Sequence, residues 1–184
     1  MLNKRLENIS SVLKSFTGKN GEPKNDKEKY ILNSMWVMLC SEFEGSIKDL
    51  VESYIDSVKQ KINIKDMHIC FLMQNFYGNK MDDKFTVGQI MGLFNKKKDQ
   101  ITYSNFTRDK KIKNKSFSVE NLFNSLGIFF EDDEKTKLKL LDGIASTRDS
   151  IVHGDHGISI TRKQLEDSIK TINDIYQMLK SKSR

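Results

Sequence analysis

Proline and cysteine are scarce in this sequence, and each scarcity narrows what the chain can be. One proline and ten glycines among 184 residues are too few for a β-sandwich, which needs a turn signal about every 8–12 residues; they suit a helical protein. Two cysteines, Cys40 and Cys70, both in apolar surroundings and not in a Cys-x-x-Cys pair, exclude a disulfide-stapled scaffold. They read as buried, reduced thiols of an intracellular protein. Nowhere are there about 18 consecutive apolar residues, so no membrane span is expected. The opening Met1-Leu2-Asn3-Lys4-Arg5 begins an amphipathic pattern rather than a signal-peptide run, and the expected location is the cytoplasm. A phosphate-cradling glycine-rich loop, a paired-cysteine zinc motif and a serine-centred nucleophile motif are all missing, so no cofactor and no metal is implied.

What the chain has in excess is positive charge. It carries 31 Lys and Arg against 25 Asp and Glu, a formal net charge of +6. That balance favours polyanionic partners, whether RNA, DNA or an anionic surface, and speaks to association rather than to fold. A length of 184 residues is that of one domain, 1–184, able to bury a sizeable core.

Apolar residues recur in steps of three and four along most of the chain, so the expected fold class is all-α, a helical bundle built around a long central helix. Leu2, Leu6, Ile9, Val12, Leu13 and Phe16 predict a first helix, which Gly18 to Asp26 ends as a surface loop. Trp36, Cys40, Phe43, Ile47, Leu50, Tyr54 and Val58 predict the central helix over about Lys27 to Lys61. Gly45 inside it marks a possible close crossing. Met67 to Phe76 and Phe85 to Asn95 read as shorter helices. Ser118 is the expected N-cap of a helix that Gly127 closes. Glu131 to Glu134 begin the next, which runs through Leu138, Leu141, Ile144, Ile151 and Val152 to a stop at Gly154. Thr161 and Gln164 form a capping box for the last, with Leu165, Ile169, Ile172, Tyr176 and Leu179 on one stripe.

Lys96 to Ser116 breaks the pattern as an irregular basic insertion, either a hairpin or a mobile loop. Lys96, Lys97, Lys98, Lys110 and Lys111 with Tyr103 and Phe106 supply cations for phosphate and rings for stacking on bases, which is what a single-stranded nucleic-acid platform uses. The alternative is a solvated charged loop whose aromatics tuck into the core.

Arg148-Asp149-Ser150-Ile151-Val152-His153-Gly154 combines a cation and a titratable base, the pair that RNA cleavage needs. On a straight helix, five residues turn a side chain by about 140° and advance it about 7.5 Å, so Arg148 and His153 should lie on different faces. A site using both would form where another surface crosses the helix, such as a second copy of the chain. Each residue also has a plain structural reading: His153 satisfying helix-end carbonyls, Arg148 pairing with Asp142 or Asp149. Glu44 faces either a cleft or solvent. His156, with His153 and Asp155, makes a weak metal-ligand pattern, and His68 reads as a satisfied core or interface residue.

The run Ser118-Val119-Glu120-Asn121-Leu122-Phe123-Asn124-Ser125-Leu126-Gly127-Ile128, the Leu-rich helix after it and the Arg148 to Gly154 element resemble the HEPN superfamily. Within it, the sequence looks closest to the prokaryotic RiboL-PSP-HEPN-like subgroup, which also has a long helix with an apolar-acidic segment like Trp36 to Tyr54, including Glu44. The resemblance covers about residues 28 to 180, and Lys96 to Ser116 matches nothing in it. It implies a helical bundle, usually a homodimer, with the Arg and His of both protomers lining a shared cleft. It implies a metal-independent endoribonuclease, often a toxin or antiviral defence effector with an antitoxin or regulatory partner. Other members are catalytically silent and bind RNA, a nucleotide or a partner protein. By position, Arg148, Asp149 and His153 match the motif's catalytic Arg, polar residue and His; Asp149 stands where Asn is frequent, and Val152 where many relatives carry Ala. In such a reaction the RNA's own 2′-OH is the nucleophile, His153 moves protons and Arg148 stabilises the developing anion. DNA, lacking that hydroxyl, is no substrate.

Overall fold

In the computed structural model of the chain, residues 2–14, 21–60, 66–77, 85–107, 114–155 and 157–183 are described, without the side chains of 3–5. The described residues contain helices and no strand, in the order α1 (Leu2–Leu13), α2 (Asp26–Gln60), α3 (Asp66–Tyr77), α4 (Val87–Lys97), a 3-10 turn (Lys98–Gln100), α5 (Tyr103–Phe106), α6 (Ser116–Asn124), α7 (Asp132–Val152) and α8 (Arg162–Lys182). The all-α bundle around one long helix is therefore what forms.

The 35 residues of α2 make a rod of roughly 50 Å at 1.5 Å per residue. Its buried stripe of Leu32, Trp36, Leu39, Phe43, Ile47, Val51, Ile55 and Val58 keeps the three-four spacing. That stripe takes α1, α7 and α8 against it, with α5 also touching α2. The α7 and α8 helices pack on each other, α6 on α7 and α3 on α4, and the buried side chains form one apolar cluster.

A few polar ties set the registers that matter for function. The Trp36 indole Nε1 donates to the Ile144 carbonyl at 3.0 Å, fixing α7 along α2. Asn33 Nδ2 donates to the Ile158 carbonyl and Asn33 Oδ1 accepts from the Ile160 N–H, both at 3.3 Å, which holds the segment after α7 on α2. The Tyr54 hydroxyl donates to the Leu126 carbonyl at 3.3 Å and lies 3.1 Å from His68 Nδ1, so His68 is satisfied inside the fold. Cys40 and Cys70 are both free thiols.

Two expectations change. The α6 helix begins at Ser116, not after Ser118. Its first N–H, from Ser116, is met at 2.8 Å by Asp142 Oδ1 of α7, whose Oδ2 accepts from the Ser116 hydroxyl at 2.7 Å. A cap supplied from another helix leaves no local signature. The basic insertion, where it is described, is neither hairpin nor open loop: Lys96 and Lys97 finish α4, Lys98 begins the 3-10 turn and Tyr103 opens α5. Ile101 and Phe106 are buried in the core. Gly45 lies in the interior of α2.

Candidate functional site

The α7 helix starts with a capping box in which Glu131 and Glu134 exchange backbone-to-side-chain hydrogen bonds, and acidic residues at 132–134 suit its positive end. Its other end delivers the site. His153 is the C-cap at φ −79°, ψ 5°. Gly154 follows at φ +79°. The Gly154 N–H donates to the Ile151 carbonyl at 3.1 Å and the Asp155 N–H to the Ser150 carbonyl at 3.0 Å, the two bonds of a Schellman end. The His153 N–H still makes the helical bond to the Asp149 carbonyl at 2.9 Å, so it is α2 and the segment ahead of α6, crossing this end of α7, that enclose one cavity with both side chains. Arg148 and His153 line one and the same cavity, without a second copy being required to bring them together.

That cavity, of about 230 Å³, is bounded by Glu44 from α2, Asn114 and Lys115 ahead of α6, Ala145, Arg148 and Asp149 from α7, and His153. Glu44 thus faces the cleft. Arg148 Nη1 donates to Asp149 Oδ1 at 3.0 Å, and Lys115 Nζ lies 3.6 Å from Asp149 Oδ2. One carboxylate bridges two cations. The Arg148 hydrogen bond, with Lys115 beside it, holds the Asp149 carboxyl below its ordinary value. Burial pushes the Glu44 carboxyl up, against the opposing pull of Arg148 and a bond from the Asn114 backbone. Burial and the nearby Glu44 push the Cys40 thiol up to about 12, so it is a packing residue and not a nucleophile.

Asn114 and Lys115 belong to the site although the sequence singled out neither. Asn114 is only 5% exposed, and its Nδ2 donates to the Cys40 carbonyl of α2 at 3.0 Å. Its Oδ1 and the Nε of Arg148 are buried atoms with no hydrogen-bond partner among the described residues. Both residues fall at the end of the basic run, where the lysines suggested a patch; nothing local marked one asparagine as buried.

The remaining described candidates lie elsewhere. Lys96, Lys97 and Lys98 are not among the cavity's lining residues, and α4 packs on α3. Tyr103 is half-buried against the core with Lys48 Nζ 5.7 Å from its ring centroid, and burial together with Glu52 and Glu44 pushes its phenol up to about 12. With Phe106 buried, these two aromatics are not a free stacking platform. Asp142 is engaged by Ser116, not Arg148. Lys110, Lys111 and His156 fall outside the described residues. Among the described residues no group of three His, Cys, Asp or Glu side chains is placed to hold a metal. No described helix is long and apolar enough to cross a membrane.

An all-α bundle whose long penultimate helix brings an arginine, a carboxylate and a terminal histidine to one polar cavity is a protein of HEPN type. The chain belongs to the RiboL-PSP-HEPN family, whose family model matches residues 1–182. That membership links it to RNA-related, ribonuclease-type function. No curated protein and no solved structure matches the chain.

Proposed function

We propose that the chain is a single-domain, metal-independent endoribonuclease that cleaves RNA through attack of the 2′-OH, acting in the cytoplasm as a toxin or antiviral defence effector. The observation that carries this reading is the meeting of Arg148 and His153 in one small polar cavity at the end of α7, in a chain of the RiboL-PSP-HEPN family. The His153 imidazole takes the proton of the 2′-OH or returns one to the departing 5′-oxygen, since its ring nitrogens can accept or donate a proton. The bond formed is from O2′ to phosphorus and the bond broken is from phosphorus to O5′, leaving a 2′,3′-cyclic phosphate and a 5′-OH. Arg148 spreads its donors over the phosphate oxygens as charge builds there. Asp149, bonded to Arg148 rather than to the His153 ring, holds the guanidinium in the cavity before RNA arrives.

In this reading two protomers associate with their clefts facing, so that one histidine is base and the other acid. Exposed Tyr30 and Val152 support that contact: they line a groove of about 700 Å³ where α2 passes the end of α7, beside His153. Restraint by an antitoxin-like protein would act on the same face.

Incubation of the wild type and His153→Ala with mixed RNA in EDTA, followed by mapping of fragment ends, tests the reading. Cleavage by the wild type alone, with cyclic-phosphate and 5′-OH ends, is the expected result. A folded dimer that binds RNA and leaves it intact would instead identify a silent, RNA-binding member.

A further inference from the structure

Lys115 is not a loose surface lysine. The residue before it, Asn114, is buried and tied to α2 through the Cys40 carbonyl at 3.0 Å, and the residue after it, Ser116, is clamped to α7 by both oxygens of Asp142. Backbone fixed on both sides delivers the Lys115 ammonium to the cavity, 3.6 Å from the Asp149 carboxylate that Arg148 also holds at 3.0 Å. A single anion held between a lysine and an arginine is the arrangement in which proteins hold phosphate. The bridging carboxylate is 39% exposed and the lysine 49%, so water screens the pair and the carboxylate is easily exchanged. The buried Arg148 Nε–H has no acceptor within the described residues, although guanidinium donors are ordinarily satisfied. At about 230 Å³, the cavity is smaller than the roughly 300–1,000 Å³ of pockets that enclose drug-sized ligands, which suits one anionic group rather than a whole nucleoside.

We propose that Lys115 and Arg148 form a two-cation seat for one phosphate of the RNA chain, and that Asp149 occupies the anion's place until RNA displaces it. The inference rests on reading this cavity as an RNA site, and adds Lys115 as a substrate-contacting residue that the Arg-His motif does not contain. Once RNA is bound, the phosphate takes the Lys115 ammonium and the Arg148 Nη1–H that Asp149 gives up, and Asp149 turns away.

The test is equilibrium binding of the full chain to a short single-stranded RNA with every 2′-OH methylated, so that cleavage cannot intervene, over a range of salt concentrations. Lys115→Gln is expected to weaken binding about fivefold and to lower the slope of log K against log salt by about 0.7, the signature of one lost phosphate contact on a single strand. Lys115→Arg should restore both, and Asp149→Asn should bind more tightly than the wild type. Lys139→Gln removes the same charge from an exposed position on α7 outside the cavity, and should leave the slope unchanged. Equal effects of Lys115→Gln and Lys139→Gln, or no tightening in Asp149→Asn, would overturn the proposal. A wild type that binds this strand through Lys115 but leaves unmethylated RNA intact would sink the ribonuclease reading and keep the seat. Cleavage that proceeds with Lys115→Gln binding normally would do the reverse, and a chain that holds no RNA sinks both.

Discussion

Glu44 is a carboxylate whose surroundings favour its protonated form. Burial raises its pKa, and the raising outweighs the attraction of Arg148. The folded protein therefore holds this proton more tightly than the unfolded chain does, and ionised Glu44 costs stability once the pH has risen through the unfolded and then the folded value. Glu44→Gln is expected to melt at a higher temperature than the wild type at pH 7.5, with the gap closing toward pH 4, where both side chains are neutral. Thermal melts at the two pH values check this; an equal gap at both would mean the effect is packing rather than charge. Asp149 has the opposite sign. Its carboxyl is held low by Arg148, so the pair stabilises above the ordinary carboxylate range and fades only as the pH falls through the lowered value.

The helix ends show what could be read in advance and what could not. Thr161 with Gln164 makes its capping box as spaced, and Gly127 and Gly154 sit at φ +79°, because these devices are built from neighbours in sequence. Gly127 is also crowded. A Cβ there would come within 3.2 Å of the Phe71 ring and Cβ. Gly127→Ala is expected to cost about 1–3 kcal/mol through the left-handed backbone alone, with more from the clash. By contrast Gly92, inside α4 with nothing within 4 Å of where a methyl would stand, should gain about 0.5–1 kcal/mol as Ala. Denaturant unfolding of the two variants against wild type measures both signs. The start of α6 was illegible because Asp142, its cap, lies 26 residues away. The shared cavity of Arg148 and His153 was illegible for a related reason: its other walls, Glu44 of α2 and Asn114 and Lys115 ahead of α6, come from distant parts of the chain. Asn114 needed the packed neighbours on α2 to become a site residue.

For the whole molecule the fold class was legible, since periodicity survives any detail of packing, and the Arg-to-Gly element marked as candidates three residues that line one cavity. Which chain completes the site is a matter of assembly, and one protomer already brings Arg148 and His153 together. If two clefts nonetheless act as one composite site, isolated heterodimers of wild type with His153→Ala should fall far below half of wild-type cleavage. Purified tagged heterodimers assayed beside both homodimers decide this, and retention of half the activity would show that each protomer works alone. Positive charge of +6 over the chain draws RNA toward either arrangement but cannot choose between them.

The tie between Trp36 and the Ile144 carbonyl also makes the molecule self-reporting. Trp36 is the chain's only tryptophan, buried at 6% exposure, and its partner carbonyl lies one helical turn ahead of Arg148. All indole emission therefore originates at the seam between α2 and α7. Without any label, a spectral change during RNA binding or heating reads the opening or tightening of a contact that helps set the arginine's height along the central helix.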